Sequence, residues 1–478
     1  MLSRADVVAK EEVEVEIDDF GFTGEGYVRL EDGWLSVPGA LPKERVTVRV
    51  QPGQREGARR LFADVVEILE ASPERRDPLC ERDAICRGCH LRHLTVAAEL
   101  SFKVRTVREV IERFAELKAC EQPEIEVVTP QPVARGDAYR IRSHLTYQRR
   151  GEGFDLGLRT PVREPFIPMG DCPALTLPLR RLIQTITKSL QEASRLPLDE
   201  ATVEAMETGA DGIHTELGMT GVKVVSPTHG VGLIEAVMTA TDDEGVWSEY
   251  LASTERSGWL TALADEVPDQ VGVAISSGTF RHHIKAPRRI RIPIAKWGME
   301  IGYEDWFHAT LEPAEQAYEQ MMQWLACDEE DRLLDIGCGT GTITLMTSEH
   351  AAHVVGLDVN PASIEAAELN AINHERTNLE FVVGGWEKAL RELAMSDRSF
   401  SVATINPMRE PLGHRPLAFL KPLGIERLVY LGPSPEAAAK DVGELREMGW
   451  QVTKLAATNL HPATYHTMLM VKMELRGE

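Results

Sequence analysis

The sequence predicts about three domains: a small β-barrel first, an α+β region in the middle and a doubly wound α/β domain last. Two patterns carry this prediction. Residues 12–70 alternate apolar and polar side chains in short runs, and helix and strand patterns alternate from about residue 312. At 478 residues the chain is also too long for one hydrophobic core. We place the domains at residues 1–72, 73–300 and 301–478.

The first region has the pattern of short β-strands joined by tight turns. Strict alternation occurs in EVEVEI and RVTVRV, and turn residues interrupt GFTGEGYVRL and WLSVPGAL. About five short strands in about 60 residues are typical of a small oligonucleotide-binding barrel. We therefore expect such a barrel over residues 1–72.

Four cysteines mark the middle region. Cys80, Cys86 and Cys89 lie within ten residues in CERDAICRGC, and Cys172 follows in GDCPAL. Three nearby thiols can close around one soft metal centre, and a remote fourth can complete tetrahedral sulfur ligation. Zinc is an alternative if His90 or His93 supplies the fourth ligand, and a set of buried small hydrophobic residues is the non-metal alternative.

The rest of the middle region reads as mixed structure. Apolar residues at helical spacing between Leu94 and Leu117 predict an amphipathic helix. We expect strands over 124–175 and a helix over 176–197, whereas the pattern of 200–300 predicts no definite elements. From residue 312 onward, helices and strands alternate in the manner of a doubly wound sheet.

A glycine-rich loop in that last region predicts a nucleotide-cofactor site. Asp335, Gly337, Gly339, Thr340 and Gly341 fall between a predicted strand and a predicted helix. Glycines allow close approach of the backbone to a ligand, and their N–H groups can point at it. Asp358 ends the next predicted strand, where an acid can accept hydrogen bonds from ribose hydroxyls. The pattern is typical of class I methyltransferases that use S-adenosylmethionine, and the GxGxxG register of dinucleotide sites is absent.

Charge alone argues weakly for a nucleic-acid partner. The net charge is −23, yet residues 281–296 carry six Lys/Arg and two His without an acid. A second basic stretch runs from Arg135 to Arg163 and also holds Arg140, Arg142, Arg149, Arg150 and Arg159. Such runs bind phosphate or simply form a solvated face. The chain has no long apolar stretch and no signal-peptide pattern, so we expect a cytoplasmic protein without a membrane partner.

Together these motifs resemble the RNA uracil-5-methyltransferase family, in particular its members of the 23S ribosomal RNA type with a TRAM barrel and a 4Fe–4S cluster. The resemblance is carried in family order by VPGALPKERVTV, the cysteine run, YRIRSHL, GDCP and the loop from Asp335 to Gly341. It implies S-adenosylmethionine and a 4Fe–4S cluster as cofactors. It also implies ligation of that cluster by Cys80, Cys86, Cys89 and Cys172, and a ribosomal or transfer RNA as the partner of a monomeric protein.

The chain departs from this family at its reaction centre. The segments at 405–413, 427–441 and 461–468 stand where the family carries its catalytic motifs. The positions of the family's nucleophilic cysteine, general-base glutamate, substrate-facing aspartate and cofactor-binding glutamine correspond to Pro433, Met468, Asn406 and Ala309.

These departures remove the residues that the family's uracil reaction needs. That reaction adds a thiolate to carbon 6 of uracil and later removes the carbon-5 proton with a base. Proline offers no thiolate and methionine accepts no proton, so we assign no catalytic residue. Asn406 and Arg409 remain as substrate-contact candidates because an Asn-Pro loop can orient an exocyclic amine, although Asn-Pro is also a common turn pair.

Two functional hypotheses follow. The first is an S-adenosylmethionine-dependent RNA methyltransferase whose target atom is open. The second is a catalytically silent, RNA-binding iron–sulfur relative of the same family.

Overall fold

The computed structural model describes most of the chain, namely residues 3–8, 12–51, 59–78, 80–86, 88–128, 138–150, 153–159, 166–193, 219–238, 240–241, 243–396 and 398–476. Contacts divide the chain into two compact units. The first unit consists of Met1–Gly136, Pro407–Leu417 and Val429–Glu478, and the second of Asp137–Asn406 and Ala418–Leu428. The three domain boundaries expected from the sequence stay a prediction.

The strands in chain order are β1 (Val13–Glu16), β2 (Asp19–Phe20), β3 (Gly26–Leu30), β4 (Gly33–Val37), β5 (Arg45–Val50), β6 (Arg60–Glu70), β7 (Ile125–Val128), β8 (Arg142–Arg150), β9 (Gly153–Arg159), β10 (Phe166–Pro168), β11 (Met219–Val225), β12 (Gly232–Met238), β13 (Val271–Ser277), β14 (Phe280–Lys285), β15 (Arg289–Ile294), β16 (Trp297–Gly302), β17 (Arg332–Ile336), β18 (His353–Asp358), β19 (Leu379–Val383), β20 (Val402–Ile405), β21 (Arg427–Gly432), β22 (Trp450–Thr458) and β23 (Met468–Leu475).

The helices in chain order are α1 (Arg4–Val8), α2 (Asp83–Cys86), α3 (Val96–Phe114), α4 (Leu177–Ala193), α5 (Glu244–Ser257), α6 (Trp259–Glu266), α7 (Glu312–Leu325), α8 (Thr342–Thr347), α9 (Pro361–Asn373), α10 (Trp386–Ala394), α11 (His414–Leu417) and α12 (Pro435–Glu447). None of those in the described residues is long and apolar enough to cross a bilayer.

The first unit opens with a six-stranded sheet in the order β1-β5-β6-β4-β3-β2. The alternation read in the sequence reappears as alternating burial in β1 and β3. The inward side chains form one apolar cluster that includes Val15, Leu35 and Val48. Strands expected over residues 12–70 are therefore present, and the TRAM-barrel assignment stays a prediction.

The expected amphipathic helix is α3, slightly shorter than the periodic pattern. Its N-cap is Thr95, whose hydroxyl accepts a hydrogen bond from the Ala98 amide and so satisfies one unpaired donor of the first turn. The buried stripe includes Phe102, Val107 and Ile111. In the same unit β22 pairs antiparallel with β23 and parallel with β7.

The second unit contains a seven-stranded sheet and a parallel α/β sheet. The seven strands run in the order β10-β9-β8-β11-β12-β13-β14, and side chains of α4 and α6 share one apolar core with them. The helix expected over 176–197 is α4. In the α/β part β19, β18, β17 and β20 pair in that order, all parallel, which confirms the alternating helix and strand pattern read from residue 312.

Candidate cofactor site

The glycine-rich loop follows β17 at the carboxyl edge of the parallel sheet. The Gly337 and Cys338 amides donate to the Leu357 carbonyl at 2.8 and 3.1 Å, and the Gly341 amide donates to the Cys338 carbonyl at 2.9 Å. These bonds fold the loop back over β18 before α8 begins. Ligands of open α/β sheets bind at this edge, where the strands end.

Gly339 and Gly341 have different roles in the loop, although both have left-handed φ angles of +53° and +84°. A side chain at Gly341 would place its Cβ 3.0 Å from Ala367 Cβ on α9, whereas one at Gly339 would meet nothing within 4 Å. Gly341 therefore allows close packing against α9. Gly339 borders open space, and that is the side on which a ligand has room.

Asp335 lies in the floor of the loop and is fully buried. Its carboxylate accepts hydrogen bonds from the Thr344 hydroxyl at 2.6 Å and the Thr404 hydroxyl at 2.7 Å. Burial raises the pKa of Asp335 to about 6, and the charge of Asp358 adds to the increase, while the two threonine hydroxyls oppose it. The side chain thus joins β17 to α8 and β20.

Asp358 ends β18 and borders the loop from the other side. Its two carboxylate oxygens accept hydrogen bonds from the Gly339 amide at 3.0 Å and the Asn360 amide at 2.9 Å. Each carboxylate oxygen has a second acceptor site. The side chain is partly exposed, so those remaining sites fit the vicinal hydroxyls of a ribose.

Asn370 fixes the back of the loop and was not recognised in the sequence. Its side-chain amide donates to the Thr340 carbonyl at 3.0 Å and to the Glu300 carbonyl at 3.2 Å. Thr344, Thr404 and Asn370 are all fully buried polar residues. The sequence feature that could have identified them is a polar side chain at a position where the helix or strand pattern predicts a buried residue.

A buried histidine and tyrosine also lie in this unit. His308 Nε2 and the Tyr318 hydroxyl are 2.6 Å apart. Burial lowers the pKa of His308 to about 4, so its imidazole is neutral at pH 7. Burial also raises the pKa of Tyr318, and the negative charge of Asp335 raises it further. Next to this pair, Ala309 contributes its carbonyl to the Ile141 amide at 2.8 Å.

Asn406 follows β20 and lies at the same edge as the loop. Its amide donates to the Ile336 carbonyl at 2.8 Å, and its side chain is partly exposed. The second unit therefore brings together the predicted residues of the loop, Asp358 and Asn406. Arg409 belongs to the first unit and is exposed there.

In the first unit, Pro433 lies next to a helix cap and Met468 lies in a buried strand. Pro433 precedes Ser434, which caps α12 by accepting a hydrogen bond from the Ala437 amide at 3.3 Å. Met468 begins β23 opposite Thr458 and is 3 % exposed. Neither side chain is a nucleophile or a base.

The three clustered cysteines sit on and around α2, each partly buried. Burial raises the pKa of Cys86, and charges on Cys89 and Cys80 raise it further, so the three thiols interact electrostatically. The His93 ring is also buried here, with Nδ1 3.6 Å from Asp83. Among the residues that the structure describes, no three His, Cys, Asp or Glu side chains are grouped closely enough to hold a metal ion. The ligand set with Cys172 stays a prediction.

Several basic side chains of the stretch 281–296 form ion pairs or hydrogen bonds within the protein. Arg281 pairs with Glu235 and Glu304, and Arg289 pairs with Asp305 at 3.0 Å. Lys285 donates to the Ala264 and Val267 carbonyls, both at 2.7 Å. The sequence pattern therefore overstated the free positive charge of this stretch. In the second basic stretch, the side chains of Arg149 and Arg150 lie outside the described residues.

Comparison with known proteins agrees with the site. Residues 327–429 match the family model described as a methyltransferase domain. The 23S rRNA (uracil(1939)-C(5))-methyltransferase RlmD of Klebsiella pneumoniae is 25 % identical over an alignment 479 positions long that covers 98 % of this chain and 97 % of that protein. RlmD of Pseudomonas entomophila is 25 % identical over an alignment 458 positions long that covers 94 % of this chain and 91 % of that protein.

A solved structure shares the fold. The crystal structure of the Pyrococcus abyssi tRNA (uracil-54, C5)-methyltransferase in complex with S-adenosyl-L-homocysteine matches with a TM-score of 0.67 at 19 % identity, over 96 % of this chain and 100 % of that one. The resemblance expected from the motifs is confirmed. From end to end, this chain resembles the RNA uracil-5-methyltransferases, and its residues 327–429 match a methyltransferase domain.

Proposed function

We propose that this protein transfers a methyl group from S-adenosylmethionine to RNA, at an acceptor atom that attacks the methyl group directly. The observation that carries the proposal is the arrangement of the loop, Asp358 and Asn406 at adjoining strand ends of one parallel sheet. RNA as the substrate class follows from the curated relatives, which methylate ribosomal RNA by name.

The cofactor would be held by groups of the second unit. Asp358 would accept hydrogen bonds from the ribose hydroxyls. The backbone around Gly339 would lie against the nucleoside, because no atom of the described residues occupies that side of the loop. When bound, S-adenosylmethionine supplies an electrophilic methyl group on a sulfonium centre. The protein's part is to position that group and to exclude water from it.

We infer the kind of methyl acceptor on RNA from the absence of the family's nucleophilic cysteine. Position 433 is proline, and the thiols of the methyltransferase domain are unsuited to replace the family's cysteine. Burial raises the pKa of Cys327 to about 12 and that of Cys338 well above its ordinary value. An acceptor with its own lone pair, such as an exocyclic amine, needs no covalent step. The Asn406 side-chain oxygen can orient such an amine by accepting a hydrogen bond from one of its N–H groups.

We also assign a 4Fe–4S cluster to Cys80, Cys86, Cys89 and Cys172. The support is the spacing of the first three thiols in the sequence and the family that their motif resembles. Thiolate ligands suit iron–sulfur clusters and zinc alike, so metal analysis must decide between them. Methyl transfer moves no electrons, and we therefore expect the cluster to support the fold around α2.

Cofactor binding and methyl transfer test the main proposal separately. Anaerobically purified protein is titrated with S-adenosylmethionine by calorimetry and then incubated with labelled cofactor and total RNA. We expect binding, label on RNA, and a methylated nucleoside other than 5-methyluridine by mass spectrometry. Cofactor binding without any label on RNA would instead support the catalytically silent relative.

The cluster has its own test. Purified protein should contain iron and absorb near about 400 nm, as iron–sulfur clusters do. Cys86→Ser should lose both signals, whereas Cys120→Ser, which changes an exposed cysteine of the same unit, should retain them. Zinc in place of iron would reassign the site, and unchanged iron in Cys86→Ser would refute the ligand assignment.

A further inference from the structure

The motif YRIRSHL at residues 139–145, which leads into β8, presents two different faces. Its odd-numbered side chains are buried, from Tyr139 at 4 % exposure to Leu145 at 0 %. Side chains alternate between the two faces of an extended chain, so Arg140, Arg142 and His144 share the opposite face. Of these, Arg142 is half-buried and His144 is exposed. Neither the apolar core nor the cofactor loop explains this row of basic side chains.

Two more basic side chains lie on the same face of the seven-stranded sheet. Lys223 on β11 is paired directly with His144, and Thr146 on β8 is paired with Gly157 on β9. Arg159 follows Gly157 by two residues, so its exposed side chain lies on that face as well. Neighbouring strands are about 4.8 Å apart, and the three strands therefore present these groups over about 10 Å. We use the term basic face for Arg140, Arg142, His144, Arg159 and Lys223.

Glu235 is an acid on this side of the sheet, and its charge is compensated. It lies on β12, paired with Lys223 across the two strands, and is 1 % exposed. Its carboxylate is 2.9 Å from the Lys223 ammonium and 2.5 Å from the Arg281 guanidinium. Arg281 also pairs with the exposed Glu304, whereas Asp155 on β9 accepts a hydrogen bond from a side chain of α4 at 3.3 Å. Two acids and two cations thus balance, and the arginines of the basic face come in addition.

Arg142 is half-buried and, within the described part of the chain, forms no ion pair. Burial lowers the pKa of its guanidinium, and the charges of Glu235 and Asp305 offset this only in part. Burial also lowers the pKa of His144, and the positive charge of Lys223 lowers it further, while Glu235 opposes the effect. The surroundings of both side chains are therefore short of negative charge. An anion that binds here would form charge-assisted hydrogen bonds.

The basic face belongs to the same unit as the glycine-rich loop. The Arg142 Nη1 donates to the Phe307 carbonyl at 3.4 Å, in the segment just before α7. On α7, Tyr318 is close enough to the loop for the charge of Asp335 to raise its pKa. The basic face is therefore packed against the segment that leads to the cofactor half of this unit.

We propose that the basic face binds consecutive backbone phosphates of the RNA strand that carries the methyl acceptor. This inference rests on the proposed function and names how its substrate is held. RNA fits the observations because its phosphates repeat along one strand, as the cations do across β9, β8 and β11. In a chain of net charge −23, a local excess of positive charge also directs RNA to this side of the unit. Phosphate contacts position the RNA without reading its sequence.

The test measures the affinity of full-length protein for fragmented ribosomal and transfer RNA over a range of salt concentrations. Arg159→Gln should weaken binding about three- to fivefold and reduce the slope of log affinity against log salt by about one, whereas Arg159→Lys should keep the slope. The double variant Arg159→Gln/Lys223→Gln should reduce the slope by about two. Arg181→Gln is the matched control, because Arg181 is exposed on α4, which packs against the other face of the same sheet. It should bind RNA as wild type does.

Two further measurements keep folding and binding apart. The affinity for S-adenosylmethionine, measured by calorimetry, should be the same in all these variants and in wild type. RNA that contains 4-thiouridine should crosslink under ultraviolet light to peptides of β8, β9 or β11, and crosslinks confined to other peptides would refute the inference. If wild-type protein binds no RNA, the proposed function fails. If wild type binds RNA and the double variant keeps its slope, or Arg181→Gln loses as much, the inference is refuted while the proposed function stands.

Discussion

The Thr404 hydroxyl donates a 2.7 Å hydrogen bond to the Asp335 carboxylate and so joins the penultimate residues of two neighbouring parallel strands beneath the glycine-rich loop. Because both side chains are fully buried, the bond has no competition from water. The carboxylate is nevertheless costly at neutral pH, since burial disfavours its charge.

That cost predicts a pH dependence of stability. The pKa of Asp335 is about 6 in the folded protein against 3.8 for an ordinary aspartate, so the folded state binds the proton more tightly. The stability contributed by Asp335 is therefore largest at low pH and falls as the pH rises from about 4 to about 6. Relative to wild type, Asp335→Asn should gain about 2 kcal/mol of unfolding free energy between pH 4 and pH 7. Urea denaturation of both proteins across this range measures the difference, and a difference independent of pH would contradict the assignment.

Asp358 should determine cofactor affinity. Asp358→Ala removes the acceptors for the ribose hydroxyls, and charge-assisted hydrogen bonds of this kind contribute about 1.5–3 kcal/mol each. We expect S-adenosylmethionine to bind at least about tenfold more weakly, as measured by calorimetry. Glu368→Gln, which changes an exposed acid on α9, should bind as wild type does. Equal affinity of Asp358→Ala and wild type would place the ribose elsewhere.

The two loop glycines should separate folding from binding. Gly341→Ala brings a Cβ to 3.0 Å from Ala367 at a φ of +84°. We expect it to lower stability by about 1–3 kcal/mol in urea denaturation. Gly339→Ala meets no protein atom within 4 Å and should cost only the backbone strain, yet it should weaken cofactor binding because its methyl group enters the open side of the loop. If Gly339→Ala lowered stability and Gly341→Ala weakened cofactor binding instead, the cofactor would lie on the Gly341 side of the loop.

A buried ion pair on α3 should be essential to the first unit. Lys103 and Glu99 are 1 % and 0 % exposed and 3.0 Å apart. Glu99 also accepts a hydrogen bond from the Ala463 amide at 2.8 Å. Lys103→Met leaves the Glu99 charge buried without its partner and should cost about 3–5 kcal/mol. The double variant Lys103→Met/Glu99→Gln should be more stable than Lys103→Met alone in thermal denaturation, and a lower stability would rule out the charge as the cause.

The sequence predicted the turn between β17 and α8 well because its signal is local, while the binding of the cofactor by this loop stays a prediction. Gly337, Gly339 and Gly341 serve a turn that a few adjacent residues define, and Asp358 ends the next strand of a regular pattern. The partners of Asp335 could not be identified in this way. Thr404 is 69 residues away and reaches the carboxylate only through strand pairing, which no short pattern encodes.

The basic stretches show the converse failure. Charge along the sequence does not reveal which cations will meet a carboxylate in the fold. Arg281 pairs with Glu235 only because strands β12, β13 and β14 lie side by side, and it is thereby lost to an outside partner. The predicted metal site depends on a long-range pairing as well, because its fourth cysteine, Cys172, lies far along the chain from the first three.

The hydrogen bond between Lys103 and Asn459 connects residues 356 positions apart. On the ribosome, the α3 lysine emerges long before its acceptor has been made. A nascent chain therefore lacks the Asn459 acceptor of Lys103 until that residue has been made, and the first unit, to which Val429–Glu478 belongs, cannot be completed before then. A chain that stops before Asn459 should consequently have an N-terminal part that proteases degrade, rather than a stable fragment.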